Sequence, residues 1–328
     1  MAPRPRVGEF ELIARYFAPL ARTFAGAGSL ESDNAFLPAD SRHDIAVKTD
    51  TIVSGVHFLA DERPERVAAK ALRVCLSDLA AGGASPFVYQ MSLALPRGWQ
   101  ERWVAGFARG LAADQRRYRI VLCGGDTVVM PGPLTVTITA FGKVPRGKGL
   151  GRAGARAGDE LWASGTIGDG ALGLLAARGR LKGLGLRDRK ILEERYRQPR
   201  PRTALGSRLI GIARAAADVS DGLLADAGHI ATASRLAAHI ERDQVPLSAA
   251  ARRALAVDPA LWANVLGGGD DYELVIAVPP GRARALLAAA RLARVNVTRI
   301  GRFARGSGVR LTIEGQATAA PRAGYVHF

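Results

Sequence analysis

Apolar residues near the start of the chain, Phe10, Ile13, Phe17 and Leu20, recur at helical spacing and predict an amphipathic helix. A loop rich in Gly, Ser and Asp follows over 26–44, then a short strand over 45–49. Pro64 opens a second helix with its stripe at Val67, Ala71, Val74 and Leu79. Residues 87–95 read as a strand ending at Pro96, and Trp99, Trp103 and Phe107 as a helix face. Residues 119–123 form a short strand expected to stop at Gly124-Gly125. Over 134–141, Thr135, Thr137 and Thr139 alternate with Val136, Ile138 and Ala140, the pattern of a half-buried strand. The second half gives a strand over 160–164, a helix from Ala171, a polar helical stretch over 192–197, and helices from Thr203 and Gly222. Strands over 273–278 and 297–300 flank a helix over 282–293. The Gly/Arg-rich stretch 145–158 is the natural boundary. The expectation is α/β (α+β): two domains, 1–148 and 149–328, each a mixed sheet flanked by helices.

Composition narrows the function. At 328 residues the chain can bury two cores, and no charge-free apolar run reaches membrane-span length. Arginines near the N-terminus are followed at once by Glu9 and Glu11 with no apolar signal core, so a cytoplasmic location is expected. Cys75 and Cys123 lie in apolar surroundings without metal spacing and read as a buried, reduced pair. The net charge of +16 resembles a nucleic-acid signature, but six lysines and forty arginines are dispersed without a long basic block. Aromatics are not interleaved with them for base stacking. The charge suits small anionic substrates better.

Two glycine patterns suggest nucleotide sites. Gly142–Gly149 lacks the hydroxyl that ends a P-loop, and no helix is expected after it. Gly168–Gly173 fits G-x-G-x-x-G after a strand, yet the charged residues 187–198 stand where a buried parallel strand should complete the unit. A close-packed turn is the better reading.

Aspartates carry more. Asp33, Asp50, Asp78, Asp126, Asp218, Asp221, Asp270 and Asp271 fall in loops or at element ends beside small residues or hydroxyls. Each alone could cap a turn or face solvent. Asp78, however, sits in an otherwise apolar segment, and a buried carboxylate needs a cation or hydrogen bonds. With no cysteine cluster or paired histidines, an oxygen-ligated magnesium shared with substrate phosphates fits the set.

Seven segments in order, Gly8–Ile13, Thr49–Thr51 with Gly55–Phe58, Leu76–Ala81, Gly124–Thr127, Asp218–Leu223, Gly268–Leu274 and Gly324–Phe328, resemble the thiamine-monophosphate kinase family. The resemblance covers essentially the whole chain. It implies two domains of the aminoimidazole-ribonucleotide synthetase type, a homodimer joined through N-terminal sheets, ATP bound without a P-loop, and several Mg2+ ions. It implies ATP-dependent phosphorylation of thiamine monophosphate to thiamine diphosphate. Carried over by position, Asp33, Thr49, Asp50, Thr51, Asp78, Asp126, Asp218 and Asp221 resemble metal ligands. Gly125, Asp126, Arg152 and Ser220 resemble nucleotide contacts, and His57, Asp270 and Tyr325 substrate contacts. No acid–base residue is implied, since a phosphate monoester with a second pKa of about 6 is already a nucleophile.

Two positions depart from the family pattern. Ser32 stands where a second carboxylate is usual before Asp33, and Lys48 where a hydroxyl is common. In a strand Lys48 and Asp50 share a face, so the ammonium is expected to replace part of one cation's charge. The rivals are another ATP-dependent enzyme of the superfamily, a nucleotide binder without turnover, and a basic nucleic-acid-binding protein. No cysteine precedes Cys75 to serve a selenophosphate-type reaction.

Overall fold

The computed structural model describes residues 9–24 and 41–319, so Ser32, Asp33 and Tyr325 lie outside the described residues. The chain gathers into two compact units, Met1–Leu76 with Pro86–Arg146, and Ser77–Ser85 with Gly147–Phe328.

The first unit opens with α1 (Glu9–Leu12), a π-helical turn over Ile13–Phe17, and α2 (Ala18–Ala21). Pro19 cannot donate to the preceding turn, and the wider π geometry accommodates that loss. The wider turn also changes which residues are covered. Leu12 and Phe17, five apart, are both buried, while Ile13 is only partly so. Next come β1 (His43–Val53), α3 (Pro64–Ala81), β2 (Ser85–Pro96), α4 (Glu101–Tyr118), β3 (Val121–Met130) and β4 (Thr135–Pro145). The sheet order is β1-β4-β2-β3, with β1 antiparallel to β4 and β2 parallel to β3.

Alternation assigns the two faces of this sheet. Ile52, Val136, Ile138 and Ala140 are buried, while Thr49 and Thr51 point the other way. Helix α3 lies on the buried side, where the Cys75 thiol donates to the Ile138 carbonyl at 3.3 Å. Both cysteines are free and buried, and burial pushes the Cys123 thiol up to about 11, which keeps it unreactive at neutral pH. Strand β3 does not stop at Gly124-Gly125 as expected but runs on to Met130. The glycines are there for proximity. A Cβ on Gly125 would lie 1.9 Å from the Met91 carbonyl oxygen of β2, just after a bulge at Tyr89/Gln90.

The second unit contains β5 (Glu160–Ser164), α5 (Asp169–Ala177), α6 (Leu186–Arg197), α7 (Thr203–Gly206), β6 (Ala215–Asp218), α8 (Leu223–Ala233) and β7 (Ala237–Glu241). It continues with α9 (Ala249–Val257), α10 (Trp262–Gly267), β8 (Leu274–Val278), α11 (Ala283–Ala293), β9 (Val297–Ala304), β10 (Gly308–Ile313) and β11 (Gln316–Thr318). Seven strands pair in the order β11-β10-β7-β9-β5-β8-β6, with β10 and β7 parallel and the other pairs antiparallel. Its central strands are covered on both faces. In β8, Val275 and Ala277 join one core while Leu274, Ile276 and Val278 join another. That is why β8 is continuously apolar. The expected mixed α/β architecture is present in both units.

Within the first unit, α3 and α4 are held by a buried pair: Arg73 Nε and Nη2 donate to Asp114 Oδ2 and Oδ1, each at 2.7 Å. Removing one partner strands a buried charge. Asp114→Ala is therefore expected to cost about 3–5 kcal/mol in urea unfolding. The pairwise replacement Arg73→Met with Asp114→Leu is expected to cost much less.

Candidate active site

Each unit carries its own set of the acidic positions. In the first, Asp50 lies on β1 on the same face as buried Ile52, and Lys48 sits two residues before it on that face. Lys48 Nζ approaches Asp50 Oδ1 to 3.1 Å. The other oxygen, Asp50 Oδ2, is buried and accepts no hydrogen bond. Thr49 and Thr51 lie on the opposite face, where their hydroxyls bond to those of Thr139 at 2.9 Å and Thr137 at 2.8 Å. Their hydroxyls therefore point away from the Asp50 side chain.

His57 sits in the turn that follows β1. The Val53 amide donates to His57 Nδ1 at 3.0 Å, and the His57 amide donates back to the Val53 carbonyl at 2.9 Å. With Nδ1 accepting, the neutral ring carries its proton on Nε2. The turn therefore presents an N–H donor suited to an anionic oxygen. Gly125 and Asp126 are exposed on β3 at the far edge of the sheet from β1, so within this unit Asp126 and Asp50 stand three strand spacings apart. At about 4.8 Å per strand that is roughly 14 Å. The sheet of this unit does not bring them together.

In the second unit Asp78 occupies the last turn of α3, and the Asp78 carbonyl accepts the Gly82 amide at 2.9 Å. A carboxylate in the last turn opposes the helix dipole, so the position is unfavourable unless a cation faces it. Asp218 ends β6 and is buried. Ser220 and Asp221 follow it, and their backbone is locked to the glycine-rich loop before β8. The Asp270 amide donates to the Ser220 carbonyl and the Tyr272 amide to that of Val219, both at 2.9 Å. A Cβ on Gly269 would lie 2.0 Å from the Ser220 carbonyl oxygen, so only glycine permits this approach. Asp270 and Tyr272 both have left-handed backbones, φ 70° and 53°, and the Tyr272 hydroxyl donates to Asp270 Oδ1 at 3.0 Å. Such strain is held where the surroundings over-determine it. The two amide-to-carbonyl bonds join the backbone of the Val219–Ser220 turn, which follows Asp218, to the loop that carries Asp270.

Below this loop lies a buried polar network. Glu273, with no exposed surface, accepts from Ser164 Oγ at 2.6 Å, Arg195 Nη2 at 3.0 Å and both Nε and Nη2 of Arg202. Asp271 accepts the amides of Gly168 at 2.7 Å and Gly170 at 2.8 Å. Its burial pushes the carboxyl well above the ordinary range, against the pull of those amides and of Arg195. These two amides belong to the G-x-G-x-x-G pattern, and the protein's own carboxylate fills the place a pyrophosphate would take. Gly173 serves packing, since a Cβ there would lie 2.1 Å from the Leu192 carbonyl oxygen. Gly142–Gly149 likewise starts inside β4 and leads into no helix.

Sequence reasoning missed Asp226 and His229. Asp226 lies in the first turn of α8 and caps its approach, with Oδ2 accepting the amides of Asp221 and Gly222, each at 3.1 Å. Burial, and then the charge of Asp221, push Asp226 up to about 7, opposed by the two amides and by Arg152. The signal available in the sequence was the spacing Asp221, Asp226, His229, which places the latter two on one helix face. Arg152 itself is exposed, and its carbonyl accepts the Ser234 hydroxyl at 3.4 Å.

A donor set made of carboxylates, with a buried Asp50 oxygen lacking a hydrogen bond, fits magnesium and nucleotide phosphates. No helix among the described residues is long and apolar enough to cross a membrane. Two family models match the chain: AIR synthase related protein, N-terminal domain, over residues 31–144, and AIR synthase related protein, C-terminal domain, over 156–314. Thiamine-monophosphate kinase of Caulobacter vibrioides is 44% identical over 322 residues, 97% of this chain and 90% of that one. The Escherichia coli K12 protein of the same name is 39% identical over 325 residues, 98% of each chain. Among solved structures, thiamine-monophosphate kinase from Stenotrophomonas maltophilia K279a superposes with a TM-score of 0.80 at 40% identity, covering 93% of this chain and 98% of its own. A structure described as AaThiL complexed with AMPPCP and TMP gives 0.78 at 29% identity, covering 98% and 97%.

Asp226 yields a pH dependence with a definite sign. Its folded pKa, about 7, lies above the ordinary 3.8, so its stabilising contribution is full below about 3.8, declines between the two values, and is gone above about 7. In EDTA-treated protein, Asp226→Asn is expected to remove up to about 1.4 kcal/mol of stability change per pH unit across that window. Thermal melts of both proteins from pH 5 to 8 measure it as the difference between the two curves.

Proposed function

Because the chain belongs to the thiamine-monophosphate kinases within the AIR synthase related family, we propose that it transfers the γ-phosphoryl group of ATP to thiamine monophosphate, giving thiamine diphosphate and ADP. A phosphate oxygen of thiamine monophosphate attacks the γ-phosphorus, and the bond to the β–γ bridging oxygen breaks with its electron pair leaving on ADP. The observation that carries this reading is the backbone lock between the Val219–Ser220 turn and the Asp270–Tyr272 loop, which sets two of the family-type acidic segments side by side.

The acceptor needs no base, because its phosphate is largely dianionic near neutral pH. The obstacle is repulsion between two polyanions, and the remedy is alignment and positive charge. Bound Mg2+ supplies that charge. Asp33, Asp50, Asp78, Asp126, Asp218 and Asp221, with Thr49 and Thr51, are the proposed ligands. Arg152, Ser220, Gly125 and Asp126 are the proposed nucleotide contacts. His57, through its Nε2–H, together with Asp270 and Tyr325, is proposed to hold thiamine monophosphate. The buried Glu273 and Asp271 network keeps the Asp270 loop in its left-handed geometry, so the substrate contact is set before binding.

Lys48 holds one oxygen of Asp50 and brings a fixed positive charge to the same edge. It takes over part of the charge otherwise carried by a cation there. The chain is also proposed to act as a cytoplasmic homodimer through the N-terminal sheets. The support is Val47 on one edge strand and Val128 and Val129 on the other, each 44–58% exposed.

An assay of thiamine diphosphate formation with ATP and Mg2+ tests the activity, and ATP binding without product would remove it. Asp50→Asn and Asp218→Asn are each expected to lower kcat by roughly a hundredfold or more. Lys48→Thr is expected to shift the Mg2+ activation curve to higher concentration, whereas an unchanged curve and unchanged activity would remove the role given to Lys48. Val129→Glu is expected to convert a dimer to monomer in light scattering. Dimer mass unchanged in that variant would place the interface elsewhere.

A further inference from the structure

Asp221, Asp226 and His229 converge at the start of α8, with one ligand atom from each lying within 4.8 Å of the others. Asp226 and His229 are three residues apart and share a helix face. The loop before the helix carries Asp221 over its first turn. Asp226 has no exposed surface, and its Oδ2 is committed to the amides of Asp221 and Gly222. Its Oδ1 points into the cluster, 3.4 Å from His229 Nδ1, and accepts no hydrogen bond. A buried carboxylate oxygen beside a second carboxylate, with only an imidazole nitrogen 3.4 Å away and no hydrogen bond, is a costly arrangement that a cation relieves.

The donor chemistry indicates which cation. The proposed magnesium ligands Asp50, Asp78 and Asp218 are each oxygen donors, but this cluster adds an imidazole nitrogen. Nitrogen shifts preference toward first-row divalent metals, and magnesium prefers oxygen throughout. We propose that Asp221, Asp226 and His229 form a divalent-cation site of mixed oxygen and nitrogen donors that takes Mn2+ in preference to Mg2+. Three protein ligands leave about half of an octahedral shell for water or phosphate oxygens. The ion neutralises both carboxylates and pins the Ser220–Gly222 turn to the helix. The inference rests on the proposed function only in taking Asp221 as a metal ligand, and Asp226 and His229 are additions to that reading.

The test is binding of Mn2+ alone to untagged, EDTA-treated protein without nucleotide. Free Mn2+ is followed by its EPR spectrum, and bound Mn2+ by pulsed EPR for coupling to nitrogen-14. At substoichiometric Mn2+ the native protein is expected to show imidazole coupling that survives excess Mg2+. His229 is 44% exposed, so His229→Ala is expected to fold with an unchanged melting temperature. It is expected to lose the coupling and to hold that ion on the order of tenfold more weakly. His57→Gln is expected to keep the coupling. No nitrogen coupling in the native protein, coupling that persists in His229→Ala, or displacement by equimolar Mg2+ would each overturn the site. Because no turnover is involved, a protein with intact coupling and no kinase activity would leave this site standing while refuting the proposed reaction.

Discussion

The need of buried and half-buried carboxylates for a partner to their charge is the constraint on which the rest of this protein depends. Charge of one sign in a partly buried place repels itself and loses its hydration, and the chain answers this in two ways. Where the role is structural, arginine is supplied: Arg73 to Asp114, Arg253 to Asp188 at 2.5 Å, Arg214 to Asp159 at 2.8 Å, and both Arg195 and Arg202 to Glu273. Where an external ion is proposed, one carboxylate oxygen is left without a hydrogen bond. Asp50 Oδ2 and Asp226 Oδ1 are buried and accept no hydrogen bond. The two treatments separate scaffold from site more clearly than burial alone, because Asp114 and Asp226 are both nearly inaccessible.

The scaffold role suits arginine. A guanidinium fork grips both oxygens of a carboxylate in fixed geometry, which a lysine ammonium cannot do. Arg73 and Arg253 each make such a two-pronged contact. These arginines hold structural elements together. Lys48 is different in kind. A compact ammonium stands next to a carboxylate of the site, where a planar fork would compete for the oxygens a metal needs.

The sequence was legible where chemistry and periodicity agreed. Helix α3 begins at Pro64 and strand β5 spans Glu160–Ser164, as their patterns indicate. It was least legible where alanine replaced the β-branched residues of ordinary strands. Ala215–Asp218 is an edge strand made of Ala-Ala-Ala-Asp, and Ala237–Glu241 is scarcely richer in signal. Small side chains suit a sheet covered on both faces, but they carry no strand preference. The site divides similarly. The proposed aspartate ligands could be picked out by their neighbours, whereas Asp226 was marked only by its spacing to Asp221 and His229, and its hold on the amides of Asp221 and Gly222 appears only on folding. Nor could sequence tell that Thr49 and Thr51 turn their hydroxyls away from Asp50, since strand alternation fixes this only once the buried face is known.

The carboxylate of Asp271 seated on the amides of Gly168 and Gly170 has a consequence for traffic through the protein. An enzyme that handles several phosphorylated molecules at once is exposed to decoys, because any bare helix start will hold a stray anion. Here the cradle formed by the Gly168 and Gly170 amides is filled by a carboxylate of the chain itself. Those two amides are thereby taken up before any orthophosphate or spent nucleotide arrives.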